Sequence, residues 1–246
     1  MDSLSQLHNE MRTCRLCLDA GHAIVLGAVV RGSLGAEVML IGQAPGVTEV
    51  EAKRPFNAGS GKRLFKWLGE AGWDEDDFRT RHYMTAVTKC YPGKDKGGKG
   101  DRVPSKAEQA LCRPFLEQEI ALVRPKLMIL VGGLAIKLLF SAKARLVDVV
   151  GTAVYFPPET LIDSVNFRLE DTVQLSVNSE QSSIANHQSS IASLQSLLSS
   201  LDENGRIVIP LPHPSGASLW PNKPANKLLI AKATQILHTV RSMWNL

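Results

Sequence analysis

The sequence predicts a single α/β domain with three layers, in which a central, mainly parallel β-sheet is flanked by helices. Short apolar segments typical of buried strands alternate along the chain with segments whose apolar residues recur at helical spacing. The chain has 246 residues, of which 44% are hydrophobic, and this is enough to bury one core of that kind. We therefore expect one domain over residues 1–246.

The first predicted strand covers residues 37–42 and ends in the sequence Gly42-Gln43-Ala44-Pro45-Gly46. A Gly/Pro turn after a buried strand leaves backbone N–H groups at the carboxyl edge of the sheet, where open α/β proteins bind their ligands. Residues 61–72 follow with apolar side chains at helical spacing and a closing glycine, which predicts a helix.

The rest of the chain continues the alternation. A second strand is predicted at residues 82–88, and Ser105 is expected to begin a helix that runs to about residue 123, with Glu108 at the spacing of a capping box. Further strands are predicted at residues 126–133, leading into a helix at 134–140, and at 206–211, leading to His213.

Residues 157–205 differ in composition from the rest of the chain. They are rich in Ser, Gln and Asn, and their helically spaced apolar residues are Ile184, Ile191, Leu194, Leu198 and Leu201. We interpret this segment as a helical insertion within the domain and not as a separate catalytic domain.

Charge and hydropathy narrow the class of protein. The net charge is only +4, but Lys and Arg gather in clusters, a pattern that permits a nucleic-acid partner. No apolar run approaches the roughly 18 residues of a membrane span, and the N-terminal segment is polar. We expect a cytoplasmic monomer without membrane contact. Its four cysteines are then not expected to form structural disulfides.

The four cysteines are the strongest chemical signal in the sequence. Cys14 and Cys17 form a CxxC pair, and the other two are Cys90 and Cys112. Four thiolates suit either a tetrahedral zinc ion or a four-iron cluster, and spacing alone does not separate these two options from each other. Unrelated buried thiols are the alternative.

Two further residues have the chemistry of a ligand site. Phe56 follows Arg54-Pro55 and offers a ring that can stack on a base, although a core phenylalanine would have the same pattern. His213 lies between two prolines in a rigid turn after a strand. That placement suits a hydrogen-bond donor to a developing anion.

Taken in order, these motifs resemble the iron–sulfur family-4 branch of the uracil-DNA glycosylase superfamily. That branch has a CxxC arm, a GEAPG loop, a G-R-P-F segment ending in glycine, a Y-I-T-N-V-V-K-C strand, a later cysteine and a terminal H-P-S/A loop. The matching stretches here are residues 14–17, 42–46, 54–61, 83–90, Cys112 and residues 213–215. The resemblance covers nearly the whole chain outside the insertion.

The resemblance implies a monofunctional glycosylase that flips a nucleotide out of DNA and cleaves its N-glycosidic bond. It implies a [4Fe–4S] cluster on Cys14, Cys17, Cys90 and Cys112. It also implies that Phe56 stacks on the base and that His213 stabilises the departing base anion. The backbone of the 42–46 loop, including Gly42, Ala44 and Pro45, would line the base pocket.

Two departures from the family motifs concern catalysis. Gln43 replaces the glutamate of GEAPG and cannot act as a general base, so we expect it to position substrate or water. Glu49 matches a second family carboxylate, and we expect it to orient the water or face the cationic sugar. The alternative is a solvated loop carboxylate.

A third departure concerns the choice of base. Ala86 stands where the family has the asparagine that reads the edge of uracil, and Asn57 replaces an apolar residue beside Phe56. Alanine supplies neither donor nor acceptor, so we expect a bulky or modified pyrimidine as substrate. A hypermodified cytosine of phage DNA, removed in antiviral defence, is one hypothesis. Ordinary uracil repair and a non-catalytic DNA-binding relative are the alternatives.

The sequence also suggests DNA contacts outside the pocket. Cations on or after the Cys90 loop are expected to neutralise phosphates, unless the loop is merely solvated; they are Lys89, Lys94, Lys96, Lys99 and Arg102. Ser215 is a further expected contact. Trp220, in the tip after His213, would wedge into the base stack or else pack on the core.

Overall fold

The computed structural model describes residues 2–98, 100–161, 172–175, 193–216 and 218–246. Six strands form one sheet: β1 (Val38–Gly42), β2 (Tyr83–Ala86), β3 (Leu127–Val131), β4 (Ala153–Phe156), β5 (Val173–Leu175) and β6 (Arg206–Leu211). Their order is β2-β1-β3-β6-β4-β5, with β1 to β3 and β6 parallel and β4 antiparallel to both of its neighbours. The predicted α/β class with a mainly parallel sheet is confirmed.

The helices are α1 (Ser3–Thr13), α2 (Leu16–Asp19), α3 (Val47–Ala52), α4 (Gly59–Glu70), α5 (Glu75–Arg81), α6 (Lys106–Val123), α7 (Gly133–Ile136), α8 (Leu146–Val149), α9 (193–199) and α10 (Pro224–Trp244). Among the described residues, no helix is long and apolar enough to cross a membrane.

Helices cover the sheet on both faces, as the continuous burial of its parallel strands requires. Alternate residues of β1 enter two different cores: Val38 and Leu40 join the core shared with α4 and α10, whereas Met39 and Ile41 join the core shared with α1 and α6. This alternation is the period of two expected of a strand, and it produces the predicted three-layer arrangement.

The start and end of α6 follow the predicted local signals. Ser105 Oγ accepts a hydrogen bond from the Glu108 backbone N–H at 3.2 Å, and Glu108 accepts one from the Ser105 N–H at 2.6 Å. The helix ends at Val123, and Arg124 takes a left-handed conformation. The helix α7 is shorter than the predicted 134–140, because Leu138 and Leu139 bond three residues back and tighten the turn.

The second half of the sheet contains two strands that the sequence did not predict. β4 is a short apolar run just before the insertion, and β5 lies within residues 157–205, where only helix was expected. Within the same segment, residues 193–199 are helical, and Leu194 and Leu198 are buried in the core. Ile184 and Ile191 lie outside the described residues.

The strand order determines where a site can form. The chain passes from β1 to β2 on one side of β1 and then to β3 on the other side. Such a reversal opens a crevice at the carboxyl ends of the strands. The loops that follow β1, β2 and β6 meet at this edge.

Candidate functional site

A cavity of about 420 Å³ opens at the carboxyl edge of the sheet. It is lined by the 42–46 loop after β1, by the end of β2 and by the loop after β6. The structure therefore brings together most of the residues expected to bind or act on a base: Gly42, Gln43, Ala44, Pro45, Glu49, Phe56, Ala86, His213 and Ser215.

Phe56 has an unusual backbone at the wall of this cavity. Its φ is 50°, a left-handed conformation that a bulky residue rarely adopts. The ring packs over Gly42, where a Cβ would lie 2.9 Å from it, and a Cβ at Gly61 would lie 1.9 Å from the Phe56 carbonyl oxygen. Both glycines are thus needed for the aromatic ring to reach the cavity.

Arg79 holds this strained turn in place. Its guanidinium donates to the carbonyl oxygens of Pro55 at 2.7 Å and Phe56 at 2.9 Å, and it forms an ion pair with Glu75 at 2.8 Å. The Arg79 side chain is only 4% exposed. An unfavourable conformation persists where surrounding contacts over-determine it, and Arg79 supplies these contacts. Sequence reasoning missed this residue, since no motif marks it.

Glu49 connects the two walls of the cavity. Its carboxylate accepts hydrogen bonds from the backbone N–H of Gly46, at 2.6 Å, and from that of Phe56. Burial raises the pKa of Glu49, and these two bonds partly oppose the increase. Both carboxylate oxygens therefore hold the pocket loops together.

His213 is oriented by its own loop. The Ser215 backbone N–H donates to Nδ1 at 3.2 Å, so the proton of the neutral ring is assigned to Nε2. Burial lowers the pKa of His213, which keeps the ring neutral at pH 7. The ring lies against Gly132, where a Cβ would be 2.9 Å from it. The cavity is thus lined by a neutral imidazole whose remaining N–H can donate.

Ala86 forms an apolar part of the cavity wall. It is 6% exposed, and its carbonyl oxygen accepts a hydrogen bond from Lys89 Nζ at 2.6 Å, so this side of the residue offers no polar group to a ligand. Asn57 does not belong to the cavity lining. It is exposed, and its amide reaches the Thr48 carbonyl at 3.5 Å. Asn57 thus lies outside the cavity in which its base contact was expected.

The prediction that Lys89 contacts phosphate is wrong. Its side chain is 2% exposed and forms an ion pair with Glu119 at 2.6 Å. Nζ also donates to Thr85 Oγ1 at 2.8 Å. A lysine is buried in this way when a carboxylate compensates its charge, and here that carboxylate comes from α6.

The other predicted cations of this loop differ in their surroundings. Arg102 forms two hydrogen bonds with Glu108, at 2.5 and 2.7 Å, and also donates to the Ala23 carbonyl, so it ties the loop to α6. Lys94 and Lys96 are exposed at the cavity rim or beside it. Lys99 lies outside the described residues.

The tip after His213 exposes a different side chain from the one expected. Trp220 is partly buried against the core, and its carbonyl accepts a hydrogen bond from Asn226 at 2.8 Å. Leu219, immediately before it, is 74% exposed. Of the two alternatives for Trp220, packing on the core is the one observed.

The four cysteines line one apolar pocket between the N-terminal arm, the loop after β2 and α6. Cys112 accepts a hydrogen bond from the Lys89 backbone N–H at 3.3 Å. Burial raises the pKa of Cys17 and that of Cys90 to about 11, a cost that binding of a metal to thiolate would offset. Within the described part of the chain, no three His, Cys, Asp or Glu side chains are grouped tightly enough to hold a single metal ion.

Comparison with curated proteins identifies relatives of one kind. The chain is similar to the type-4 uracil-DNA glycosylases of Pyrobaculum aerophilum (31% identity over 149 residues, 60% of this chain and 70% of the relative) and Sulfurisphaera tokodaii (30% over 142 residues, 57% and 60%). It is also similar to that of Thermotoga maritima (27% over 143 residues, 58% and 67%). The alignments thus span between 60% and 70% of the lengths of these relatives.

A family model extends the similarity beyond these alignments. The model of the uracil DNA glycosylase superfamily matches residues 29–238. This range includes the loop after β1, the end of β2 and the loop after β6 that contains His213. Because this match covers most of the chain, the protein belongs to the uracil-DNA glycosylase superfamily.

Proposed function

We propose that this DNA glycosylase is monofunctional, takes a flipped pyrimidine into the cavity at the sheet edge and hydrolyses its N-glycosidic bond. The observation that carries the proposal is the pairing of an aromatic ring, Phe56, with a neutral histidine, His213, on one cavity. An aromatic face stacks on a flipped base, and a neutral N–H donor stabilises negative charge on that base as it leaves. The relatives named above are uracil-DNA glycosylases.

His213 acts at the bond-breaking step. As the bond between the sugar C1′ and the base nitrogen breaks, the electron pair moves to the base, and Nε2–H donates to the base oxygen that gains charge. A neutral imidazole suits this role because it is a hydrogen-bond donor that need not lose its proton. Glu49 acts as a positioning residue, since its carboxylate holds the loop that includes Gly46 against Phe56.

The absence of lyase activity is supported by the state of the nearby lysines. A glycosylase with lyase activity needs a neutral amine as nucleophile. Lys89 is buried and paired with Glu119, and the hydrogen bond to Asp101 raises the pKa of Lys94. Each of these two amines is thus engaged by a carboxylate, Lys89 by Glu119 and Lys94 by Asp101.

Ala86 supports a bulky or modified pyrimidine as the base. A buried polar residue at this position would leave the wrong base with unpaired groups, whereas alanine imposes no such penalty. The cavity of about 420 Å³ also has room for a substituted ring. We propose hypermodified cytosine of the kind found in phage DNA as the first substrate to test, which would assign the protein to antiviral defence. Uracil is the second candidate, favoured by the names of the relatives.

The test is an excision panel. Oligonucleotides containing uracil, hypoxanthine or a modified cytosine are incubated with excess protein, and abasic sites are detected by alkaline cleavage. We expect cleavage after alkali but none without it, with the modified cytosine processed fastest. Faster processing of uracil would assign the protein to ordinary repair. DNA binding without excision of any base would identify a non-catalytic relative.

We also propose that Cys14, Cys17, Cys90 and Cys112 hold a [4Fe–4S] cluster. The residues fit, because four thiols, the ligand set of such a cluster, line one apolar pocket. In the reducing cytoplasm, where we expect the protein to act as a monomer, these thiols stay available. The cluster would link the N-terminal arm to the loop after β2 and to α6, so its role is structural.

Metal analysis tests this assignment. Protein purified without oxygen should be brown and contain about four irons and four sulfides per chain. Stoichiometric zinc without iron would contradict it. Serine at any one of the four positions should chiefly lower the yield of folded protein, because the metal site joins distant segments.

Two surface features support a path for DNA around the cavity. Lys94 and Lys96 are exposed on the loop after β2, where they can neutralise phosphates. Leu219 is exposed on the loop after His213, and we propose that it, not Trp220, enters the space left by the flipped nucleotide. Leu219→Ala should weaken excision from duplex DNA more than from single strands, and an equal effect on both would contradict this role.

A further inference from the structure

Asp101 is a carboxylate of the cavity wall that sequence reasoning did not identify. It comes from the loop between β2 and α6 and lines the same cavity as Glu49 and His213. We propose that Asp101, not Glu49, accepts the proton of the water that attacks the sugar. The proposal rests on the glycosylase function proposed above and assigns its proton acceptor.

The side chain of Asp101 is held in place through only one of its two carboxylate oxygens. Oδ1 accepts hydrogen bonds from the Tyr91 hydroxyl at 2.9 Å and from Lys94 Nζ at 3.0 Å. The backbones of Lys94 and Asp101 also pair as an antiparallel bridge. These contacts fix the direction of the carboxylate and leave the other oxygen, Oδ2, for a ligand.

Oδ2 lies close to the pocket loop at residues 42–46. A Cβ built on Gly46 would lie 3.2 Å from Asp101 Oδ2 and 3.3 Å from Glu49 Oε2, so the two carboxylates flank the same glycine of the pocket loop. The charge of Asp101 acts on two other side chains of the cavity. It raises the pKa of Glu49, and it opposes the effect of burial on the pKa of His213. Asp101 thus faces the space between the pocket loop and the histidine.

Glu49 and Asp101 differ in whether a carboxylate oxygen remains free to accept a hydrogen bond. Each oxygen of Glu49 already accepts a backbone N–H, from Gly46 or from Phe56. In the described part of the chain, no N–H or O–H donates to Asp101 Oδ2. The Asp101 side chain is also 40% exposed, so water can reach it. A base that activates water needs an accessible acceptor oxygen, and of these two carboxylates Asp101 has one.

The chemical step balances with these groups. The C1′–N bond breaks, its electron pair goes to the base, and His213 Nε2–H stabilises the charge that develops there. The water oxygen then forms a bond to C1′ of the sugar cation, and one water proton moves to Asp101 Oδ2. The released base takes up a proton from solvent, and Asp101 returns its proton to solvent.

The decisive variant is Asp101→Asn, which keeps the shape and the acceptor at Oδ1. We expect the single-turnover excision rate to fall by about 10²- to 10⁴-fold, the range for loss of a general base. The Kd for DNA should stay the same or decrease, because a negative charge near the phosphates is removed. Glu51→Gln, which neutralises an exposed carboxylate on α3, is the matched control and should keep the wild-type rate.

Two further variants separate catalysis from a structural role. Tyr91→Phe removes one anchor of Asp101 and should lower the rate by only about 3- to 10-fold, the value of one hydrogen bond. In Asp101→Gly, added formate should restore part of the rate by supplying a carboxylate in the space left. Equal losses in Asp101→Asn and Tyr91→Phe, together with no rescue by formate, would assign Asp101 a structural role and overturn the proposal.

The outcome for wild type separates the two levels of inference. If wild-type protein excises none of the bases in the panel, the proposed function and the role of Asp101 both fail. If wild type is active and Asp101→Asn is equally active, only the assignment of Asp101 fails, and the glycosylase function stands.

Discussion

Substitution of Ala86 by asparagine tests which base the cavity selects. The backbone at Ala86 is fixed on two sides, because its carbonyl accepts from Lys89 at 2.6 Å and the next residue, Val87, donates to the Gly42 carbonyl at 3.0 Å. The new amide would therefore extend into the cavity without moving the strand. It adds one donor and one acceptor, the pair that an edge of uracil can match.

The expected magnitude follows from these two hydrogen bonds. At a net value of about 0.5–1.5 kcal/mol each, they contribute about 1–3 kcal/mol in favour of uracil, which is roughly a 5- to 150-fold gain in kcat/KM. A bulky pyrimidine should lose by a similar amount, since overpacking a filled pocket typically costs about 1–3 kcal/mol. The ranking of the two substrates should thus reverse.

Single-turnover excision of each substrate by wild type, Ala86→Asn and Ala86→Val is the assay. Valine adds volume without a hydrogen-bonding group, so Ala86→Val should slow the bulky substrate without accelerating uracil. Iron content must be measured for each variant, because Ala86 is four residues from Cys90. An unchanged substrate ranking in Ala86→Asn, or efficient uracil removal by wild type with no action on modified cytosine, would refute the enlarged-pocket reasoning.

Three other predictions follow from the site and its surroundings. His213→Ala should lower the excision rate by about 10²- to 10³-fold with little change in DNA affinity, and His213→Gln, which keeps an N–H, should recover part of the loss; equal losses in both would exclude the donor role. Replacing Lys94, Lys96 and Lys99 together with glutamine should reduce the slope of log K against log salt by up to about 3, and an unchanged slope would mean that this loop does not contact phosphate. Burial lowers the pKa of His82 from 6.5 to about 4. Between these two pH values the unfolded chain therefore binds more protons than the folded protein. The contribution of His82 to the free energy of unfolding is complete above pH 6.5 and is lost as the pH falls towards 4. The loss should total about 3 kcal/mol in urea titrations, and His82→Phe should reduce this pH dependence; the same dependence in both proteins would contradict the assignment.

The parallel half of the sheet was predictable because its signals are local. β1, β3 and β6 are short apolar runs bounded by Gly or Pro, and α6 begins with a capping box that the sequence shows directly. β4 carries the same signal, since it is an apolar run between Gly151 and Pro157, but it was overlooked. β5 was not predictable in this way, because it lies in the polar insertion and its antiparallel pairing with β4 depends on residues outside that segment.

The residues of the site also fall into two groups, those that local sequence signals predicted and those that depend on contacts between distant segments. Ala86 and His213 lie at the cavity as expected because Ala86 ends β2 and His213 follows β6 at the carboxyl edge of the sheet, whereas Phe56, between α3 and α4, was indicated by the family motif alone. The burial of Lys89 was missed because it depends on Glu119, a partner on another element. Asp101 was missed for a related reason, since only the folding back of its loop onto Lys94 brings its carboxylate to the cavity.

Lys89 has a consequence for any attempt to evolve this protein in the laboratory. Its backbone N–H donates to Cys112 Sγ, and its side chain donates to the Ala86 carbonyl, so one residue touches both the thiol pocket and the base pocket. Mutations around Ala86 that are selected for a new substrate must therefore also leave the thiol pocket intact, which reduces the number of acceptable variants. The 54–61 segment carries Phe56 without any such contact to the cysteines among the described residues. Libraries aimed at new base preference should be concentrated there.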